Sequence, residues 1–382
     1  MWEFTSPRSI VFGEDSLERL EELEGERALI IAGSTVKKVG ILDLVVSYLE
    51  EAGMEVATVD RREAEPSIGT VEEMAAFARE YRPDWIVGLG GGSSLDAAKA
   101  VWVLYERPEL EVGDISPLEP LNLRKKARLM CIPTTSGSGS EANWATVISD
   151  PEGRVKMELA SRELVPDLVI ADPSLTASAP SSLTSLSGLD ALTHAIEAYA
   201  SLWRNDFSDA LAVKAVKLIF QYLPRTVKDP DDMEAREGMQ NAALMAGWAF
   251  GNSHCGMAHA LGHAVGAVLE VVHGQAVTVF LPLVVRHTGK ELAPRYGELL
   301  DELDIDFEFE EDAANVLAQA IVDLALEVGV PCTLCDLVDR EEFEAQLDLM
   351  VERALMSSTN LASPGSPDSE TYRALLIRGY EG

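Results

Sequence analysis

Residues 85–100 read WIVGLGGGSSLDAAKA, and the fold class turns on them. Trp85 to Leu89 is an apolar run of strand length, Gly90, Gly91 and Gly92 end it, and the residues beyond pass into a helix. Glycines at a strand-to-helix turn remove the side chains that would keep a phosphate away from backbone amides, and the helix N-terminus supplies a favourable field. Ser93 with Asp96 three residues on also fits an ordinary helix cap, which needs no ligand. Three adjacent glycines exceed what a cap needs. The segment is not G-x-G-x-x-G, because Ser93 stands where the last glycine would fall, and it is no Walker A loop. The expectation is a phosphate cradle formed by Gly90, Gly91, Gly92, Ser93 and Asp96.

Outward from this stretch, strands and helices alternate. Arg27 to Ala32 reads as a buried strand that Gly33 ends, STVKKVG leads into the helical ILDLVVSYLEEAG, and EVATVD closes a second strand at Asp60. A helix is expected from Thr70 to Tyr81. LMCIP is another strand, ending at Pro133, followed by a loop of small hydroxylated residues, among which Thr134, Thr135 and Ser138 are candidates for ribose or phosphate oxygens. DLVIAD forms the last strand before a Pro/Ser-rich connection. This pattern predicts an α/β dinucleotide-binding domain over residues 1–182, with a Rossmann-like parallel sheet and ligands at the carboxyl ends of its strands. From Leu183 onward a 3.6-residue period takes over and predicts an all-α domain over 183–382. Its helices are expected at Gly188–Ser201, Ser208–Tyr222, Met233–Ala249, Ala258–Val271, Ala313–Glu327 and Arg340–Ala354, with a loose segment near Ser357–Ser369.

The helical half carries its own chemistry. Residues 256–274, GMAHALGHAVGAVLEVVHG, hold three of the six histidines in an otherwise apolar run. His259 and His263 are four apart and share a helical face, and His273 precedes Gly274. Upstream, Asp190 and His194 in SGLDALTHAIEAYAS are also four apart. Asp190, His194, His259 and His273 together form an O/N3 set suited to a divalent first-row metal such as Fe(II) or Zn(II). Taken singly, each histidine also fits a core hydrogen-bonding role, and Asp190 fits a helix first turn.

Composition sets outer bounds. A chain of 382 residues with 47% hydrophobic content is too large for one ordinary core and excludes wholesale disorder. No apolar run is long enough to span a bilayer, and MWEFTSPRSIVFGEDS lacks a basic region followed by a hydrophobic one, so a cytoplasmic, soluble protein is expected. A net charge of −33 opposes binding to nucleic acid and to anionic lipid surfaces. Cys332 and Cys335 form a lone C-x-x-C and read as reduced, incidental thiols.

The motifs GGGSSLDAAK, IPTTSGSGSE, GLDALTHAIEAY and GMAHALGHAVG with VVHG, in this order and over nearly the whole chain, resemble the iron-containing, group III alcohol dehydrogenase family. The resemblance implies a metal-dependent alcohol dehydrogenase or aldehyde reductase acting on a small-molecule substrate. It implies a nicotinamide held beside a single Fe(II), or Zn(II) as the common substitute, in a cleft between two domains, and a homodimer or larger assembly. The family's ligand positions fall on Asp190, His194, His259 and His273. His263 falls on the position near nicotinamide and substrate that relays or positions a proton, while His254 matches no motif position. Phe250 corresponds to a substrate-facing residue. Trp144, after Ala142 and Asn143, replaces a smaller residue and narrows the pocket or packs. Cofactor choice rests on two arguments that disagree. Asp60 at the end of the second strand favours NAD(H) by ordinary Rossmann logic. In the family the discriminating position is the end of the first strand, here Gly33, followed by Ser34, Lys37 and Lys38 in a pattern similar to that of NADP(H) users. NADP(H) is the expectation, with NAD(H) the alternative. A dehydroquinate-synthase-like lyase or a polyol phosphate dehydrogenase would need a basic cluster that the histidine-rich segment lacks.

Overall fold

The structure, a computed structural model, describes residues 3–61, 65–151, 153–365 and 367–382. The chain divides into two compact units, Met1–Ala179 and Pro180–Gly382. The division falls where Pro180 starts a long helix, three residues before the boundary expected from periodicity.

The first unit contains β1 (Ile10–Phe12), β2 (Arg27–Gly33), α1 (Ser34–Lys38), α2 (Ile41–Glu51), β3 (Glu55–Arg61), α3 (Ile68–Tyr81), β4 (Trp85–Gly90), α4 (Gly92–Glu106), β5 (Arg128–Pro133), β6 (Ala145–Asp150), β7 (Val155–Ala160) and β8 (Leu168–Ala171). Six of these strands form one parallel sheet in the order β1-β8-β5-β4-β2-β3. Its central strands are apolar on both faces because both are covered. In β2, Leu29 and Ile31 pack with α3 and α4, whereas Ala28 and Ile30 pack with α2. The chain leaves β2 for the edge strand β3 and returns to β4 on the other side of β2, so the winding reverses between β2 and β4. Ligand sites of doubly wound sheets form at such a reversal, beyond the carboxyl ends of the two strands. Those ends are Gly33 and Gly90.

This topology corrects one of the two cofactor arguments. The ribose-reading residue of an ordinary dinucleotide fold sits on the strand beside the glycine-loop strand. The glycine loop here follows β4, whose neighbour is β2, ending in Gly33; Asp60 is exposed on β3, across from Ala32 and one strand farther out. The antiparallel hairpin of β6 and β7 was not anticipated. Only Thr146, Ile148 and Leu159 of the two strands are buried, too few to leave a clear period-two pattern.

The second unit is helical: α5 (Ser181–Ala200), α6 (Asp206–Lys228), α7 (Met233–Ser253), α8 (Met257–Leu269), α9 (His273–Glu302), α10 (Ala313–Glu327), α11 (Arg340–Met356) and α12 (Ser369–Glu381). The 30-residue α9 escaped the sequence reading because Pro282 and Pro294 lie inside it, and α6 likewise runs through Pro224. Tertiary packing outweighs the local cost of these prolines. The stretch expected to be loose is a short 3₁₀ turn, Ser358–Ala362, with Thr359, Ala362 and Ser363 buried; Ser366 lies outside the described residues. Among the described residues no helix is long and apolar enough to cross a membrane.

Candidate phosphate loops and metal centre

At the carboxyl end of β4, Gly90 has φ +141°, a conformation open to glycine and strained for other residues. Its carbonyl accepts the backbone N–H of Thr134 at 3.0 Å, which ties the glycine turn to the hydroxyl-rich loop after β5. A methyl group on Gly92 would stand 2.7 Å from Ser138 Oγ, and one on Gly91 3.2 Å from Thr135 Oγ1. The glycines therefore serve loop packing as well as ligand access. Ser93 lies in the first turn of α4, whose N-cap is Gly91 with no side-chain cap, so the cap offered by Ser93 and Asp96 is not the arrangement adopted. Asp96 instead accepts from Ser140 Oγ at 2.5 Å and from the Val147 amide at 3.0 Å. It holds the loop rather than the helix end.

Beneath this loop lie two charged groups that the sequence reading passed over. Lys99 is fully buried, and its Nζ donates to the carbonyls of Asn143 (3.0 Å) and Ala145 (2.7 Å) and to Asn143 Oδ1 (3.3 Å). Burial lowers its pKa and pushes the neighbouring Glu141 carboxyl up to about 7. Gly33 begins α1, on which Ser34, Lys37 and Lys38 are exposed. Trp144 is half-buried just before β6, its carbonyl accepting from the Ser161 amide.

In the second unit, α5, α8 and α9 bring together the four residues singled out as a ligand set. Asp190 Oδ1 lies 3.8 Å from His194 Nδ1, 3.6 Å from His259 Nε2 and 3.3 Å from His273 Nε2. The first two separations exceed hydrogen bonds. The His273 distance falls in the roughly 3.3–3.5 Å between donors that share one tetrahedral ion through bonds of about 2.0–2.1 Å, and the other two are a few tenths of an ångström longer. Asp190 Oδ1, His194 Nδ1 and His259 Nε2 are buried and, among the described residues, have no hydrogen-bond partner. Three orphaned polar atoms facing one another are costly unless a cation satisfies them. Burial, set against the pull of Asp190, leaves the His194 pKa at about 3, so this imidazole stays neutral, the form that coordinates. Burial also raises Asp190, but His194, His273 and His259 outweigh it and hold the carboxyl well below its usual range. The donor set thus fits a divalent ion.

The surrounding residues fix these donors. The His194 ring is sandwiched between Phe250 at 4.3 Å and 16° and His259 at 4.3 Å and 25°. Phe250, expected to face the substrate, stacks on the His194 ring. His273 starts α9, and a methyl group on Gly274 would stand 2.5 Å from the Leu186 carbonyl oxygen, so only glycine lets α9 approach α5 this closely. His263, one turn beyond His259, stacks on His273 with ring centres 5.1 Å apart and is half-buried. Two neighbours were missed. Cys255 is buried, with its sulfur within 4.8 Å of donor atoms of both His194 and His259. Glu197 Oε2 lies 2.6 Å from His259 Nδ1. A signal for Glu197 was available, since it stands seven residues after Asp190 on the same helical face. His254 ends α7 with φ +76°, and its Nδ1 accepts the Cys255 amide.

A glycine-lined helix start without a side-chain cap, at the reversal of a parallel sheet, and a buried carboxylate–histidine cluster in an all-helical unit are the two candidate sites of this α/β-plus-helical fold. Family models describe both halves: "Iron-containing alcohol dehydrogenase" over residues 7–173, and "Fe-containing alcohol dehydrogenase family, C-terminal" over residues 184–380. The chain is 36% identical over 385 residues to the NADPH-dependent butanol dehydrogenase of Clostridium saccharobutylicum, covering 100% of this chain and 99% of the relative. It is 38% identical over 386 residues to an alcohol dehydrogenase of Thermococcus barophilus, covering 99% of both. A solved iron-containing alcohol dehydrogenase from Thermococcus thioreducens superposes with a TM-score of 0.91 at 36% identity, over 100% of each chain. The protein belongs to the iron-containing alcohol dehydrogenase family and is an oxidoreductase.

Proposed function

We propose that this protein is a metal-dependent, NADP(H)-linked alcohol dehydrogenase or aldehyde reductase for small, uncharged substrates, with Asp190, His194, His259 and His273 holding one divalent ion, Fe(II) or Zn(II). The observation that carries the reading is the convergence of Asp190 Oδ1, His194 Nδ1 and His259 Nε2 as orphaned, buried atoms. When bound, the ion supplies Lewis acidity toward a substrate oxygen, and the nicotinamide supplies or accepts hydride. The chain's residues do the rest. Asp190, His194, His259 and His273 would hold that ion, and the burial of the first three excludes water. His263, stacked beside His273 but outside the donor set, exchanges the hydroxyl proton that leaves on oxidation and returns on reduction. Gly90, Gly91, Gly92 and Ser93 present backbone N–H groups to the dinucleotide phosphates, Thr134, Thr135 and Ser138 present hydroxyls, and Asp96 positions the loop that carries them.

NADP(H) is favoured because β2, the neighbour of the glycine strand, ends in Gly33 and not in a carboxylate that would repel a 2′-phosphate. Ser34, Lys37 and Lys38 follow on an exposed turn suited to binding that phosphate. The relative named as an NADPH-dependent butanol dehydrogenase supports the same choice. The test is loss of NADPH absorbance with butanal, using protein stripped by chelator and reconstituted anaerobically with Fe(II). Turnover is expected with the metal and absent without it. Equal turnover in the stripped protein would remove the metal from the reading, and faster turnover with NADH would reverse the cofactor choice.

A further inference from the structure

We propose that Glu197 is the positioning residue of the metal centre: its carboxylate fixes the His259 tautomer while capping α8, so that metal uptake and the order of α8 are coupled. The proposal rests on the reading of Asp190, His194, His259 and His273 as ligands.

Asp190, His194 and Glu197 occupy positions i, i+4 and i+7 of α5 and share one face of the helix. Glu197 is buried, at 4% exposure. Its Oε2 lies 2.6 Å from His259 Nδ1 and accepts the Gly256 amide at 2.9 Å, while Oε1 accepts the Ala258 amide at 2.6 Å. Gly256 is the N-cap of α8, which has no side-chain cap from its own sequence. A carboxylate from α5 therefore satisfies the orphan amides of α8 and orients the ligand that α8 carries. Gly256 makes the approach possible, since a methyl group there would stand 3.0 Å from Glu197 Oε1.

An ionised carboxylate only accepts hydrogen bonds. The imidazole nitrogen facing Glu197 therefore carries a proton, which leaves Nε2, 3.6 Å from Asp190 Oδ1, as the nitrogen that can coordinate. Without metal a second proton on Nε2 answers Asp190, and a bound cation would take that proton's place. The charges agree, because Asp190 and Glu197 together supply two negative charges to balance one divalent ion. Outer carboxylates that orient a metal-binding histidine raise its basicity, and losing one typically costs 10–100-fold in metal affinity. A plain cap makes a different prediction: its loss would lower the thermal midpoint of metal-free and metal-loaded protein equally and leave affinity unchanged.

The experiment is chelator competition for Zn(II) on the full chain and on Glu197→Gln. The glutamine amide has one acceptor oxygen and one donor nitrogen, so it cannot accept from all three N–H groups. We expect Zn(II) affinity to fall about 10- to 100-fold. In parallel, ¹⁵N NMR of the unmodified, Zn-loaded protein should show His259 protonated at Nδ1 and coordinating through Nε2, a measurement independent of whether the variant folds. Affinity unchanged within about twofold, or coordination through Nδ1, overturns the proposal alone. A wild-type chain that takes up no metal overturns both the proposal and the ligand assignment.

Discussion

The two candidate sites of this chain are built from opposite materials. In the first unit, the candidate phosphate loops offer backbone amides and hydroxyls, while the charged groups Lys99 and Asp96 bind the residues that follow Ser138. In the second unit the polar atoms of Asp190, His194 and His259, carried on α5 and α8, face one another, and among the described residues one atom of each has no hydrogen-bond partner. The first design tolerates side-chain variation provided that the backbone path survives. The second depends on individual atoms. Substitutions should separate the two accordingly, with the largest effects at the histidine cluster.

His259→Ala tests this division most severely. It deletes one donor and strands both Asp190 and Glu197, which face it from opposite sides. Metal-assisted stabilisation of developing charge is worth several kcal/mol, so kcat/KM should fall by at least about 10³-fold. Dinucleotide affinity, which the proposed function assigns to the other unit, should stay within about twofold by fluorescence titration. If both collapse together, the two sites are not separable. Gly274→Ala comes next. The added methyl would stand 2.5 Å from a backbone oxygen that cannot swing aside, and overpacking of this kind costs about 1–3 kcal/mol. Because the displaced residue is the neighbour of His273, most of that cost should appear as metal affinity, roughly 5- to 150-fold by chelator competition. Unchanged affinity would mean that His273 is not held through α9.

The same contrast explains what could be read from the sequence. The donors Asp190, His194 and His259 were legible because helical spacing converts residue numbers into a face, and polar residues on an apolar face stand out. Glu197 met the same rule and was passed over, since it was hidden in a run, HAIEAY, that reads as an ordinary amphipathic helix. Lys99 was not legible, because its partners are carbonyls more than 40 residues away. The glycines after β4 were legible as a loop but not as the seat of Thr135 and Ser138. The alternating strands fixed a parallel sheet, yet only the observed order decides that Gly33, and not Asp60, stands beside the glycine strand. Pro282 and Pro294 concealed α9 because a local rule was outweighed by packing.

Gly33→Asp sharpens the loop side of the comparison. Gly33 has φ −87° and ψ 160°, an extended conformation that aspartate adopts readily at a helix N-cap, so the fold should accept it. The new carboxylate would repel a 2′-phosphate and accept hydrogen bonds from a ribose. The ratio of Kd values for NADPH and NADH should shift toward NADH by about tenfold, and metal affinity should not move. An unchanged ratio would place adenosine recognition elsewhere.

The smallest effect concerns the charges beneath the loop. Burial raises the Glu141 carboxyl from its usual 4.5 to about 7, with Lys99 pulling the other way. Between these two values the folded chain keeps a proton that the unfolded chain has already released. Stability must therefore fall as pH rises across this window, by an amount on the order of 1–3 kcal/mol, and stay low above it. Glu141→Gln keeps the neutral shape and removes the titration. At pH 4 the variant and the parent should melt together, and by pH 8 the variant should melt a few degrees higher. A difference in melting temperature that does not change with pH would show that the carboxylate is already ionised in the folded protein, held so by Lys99. The loop would then rest on a buried ion pair and, like the histidine cluster, would depend on individual charged atoms.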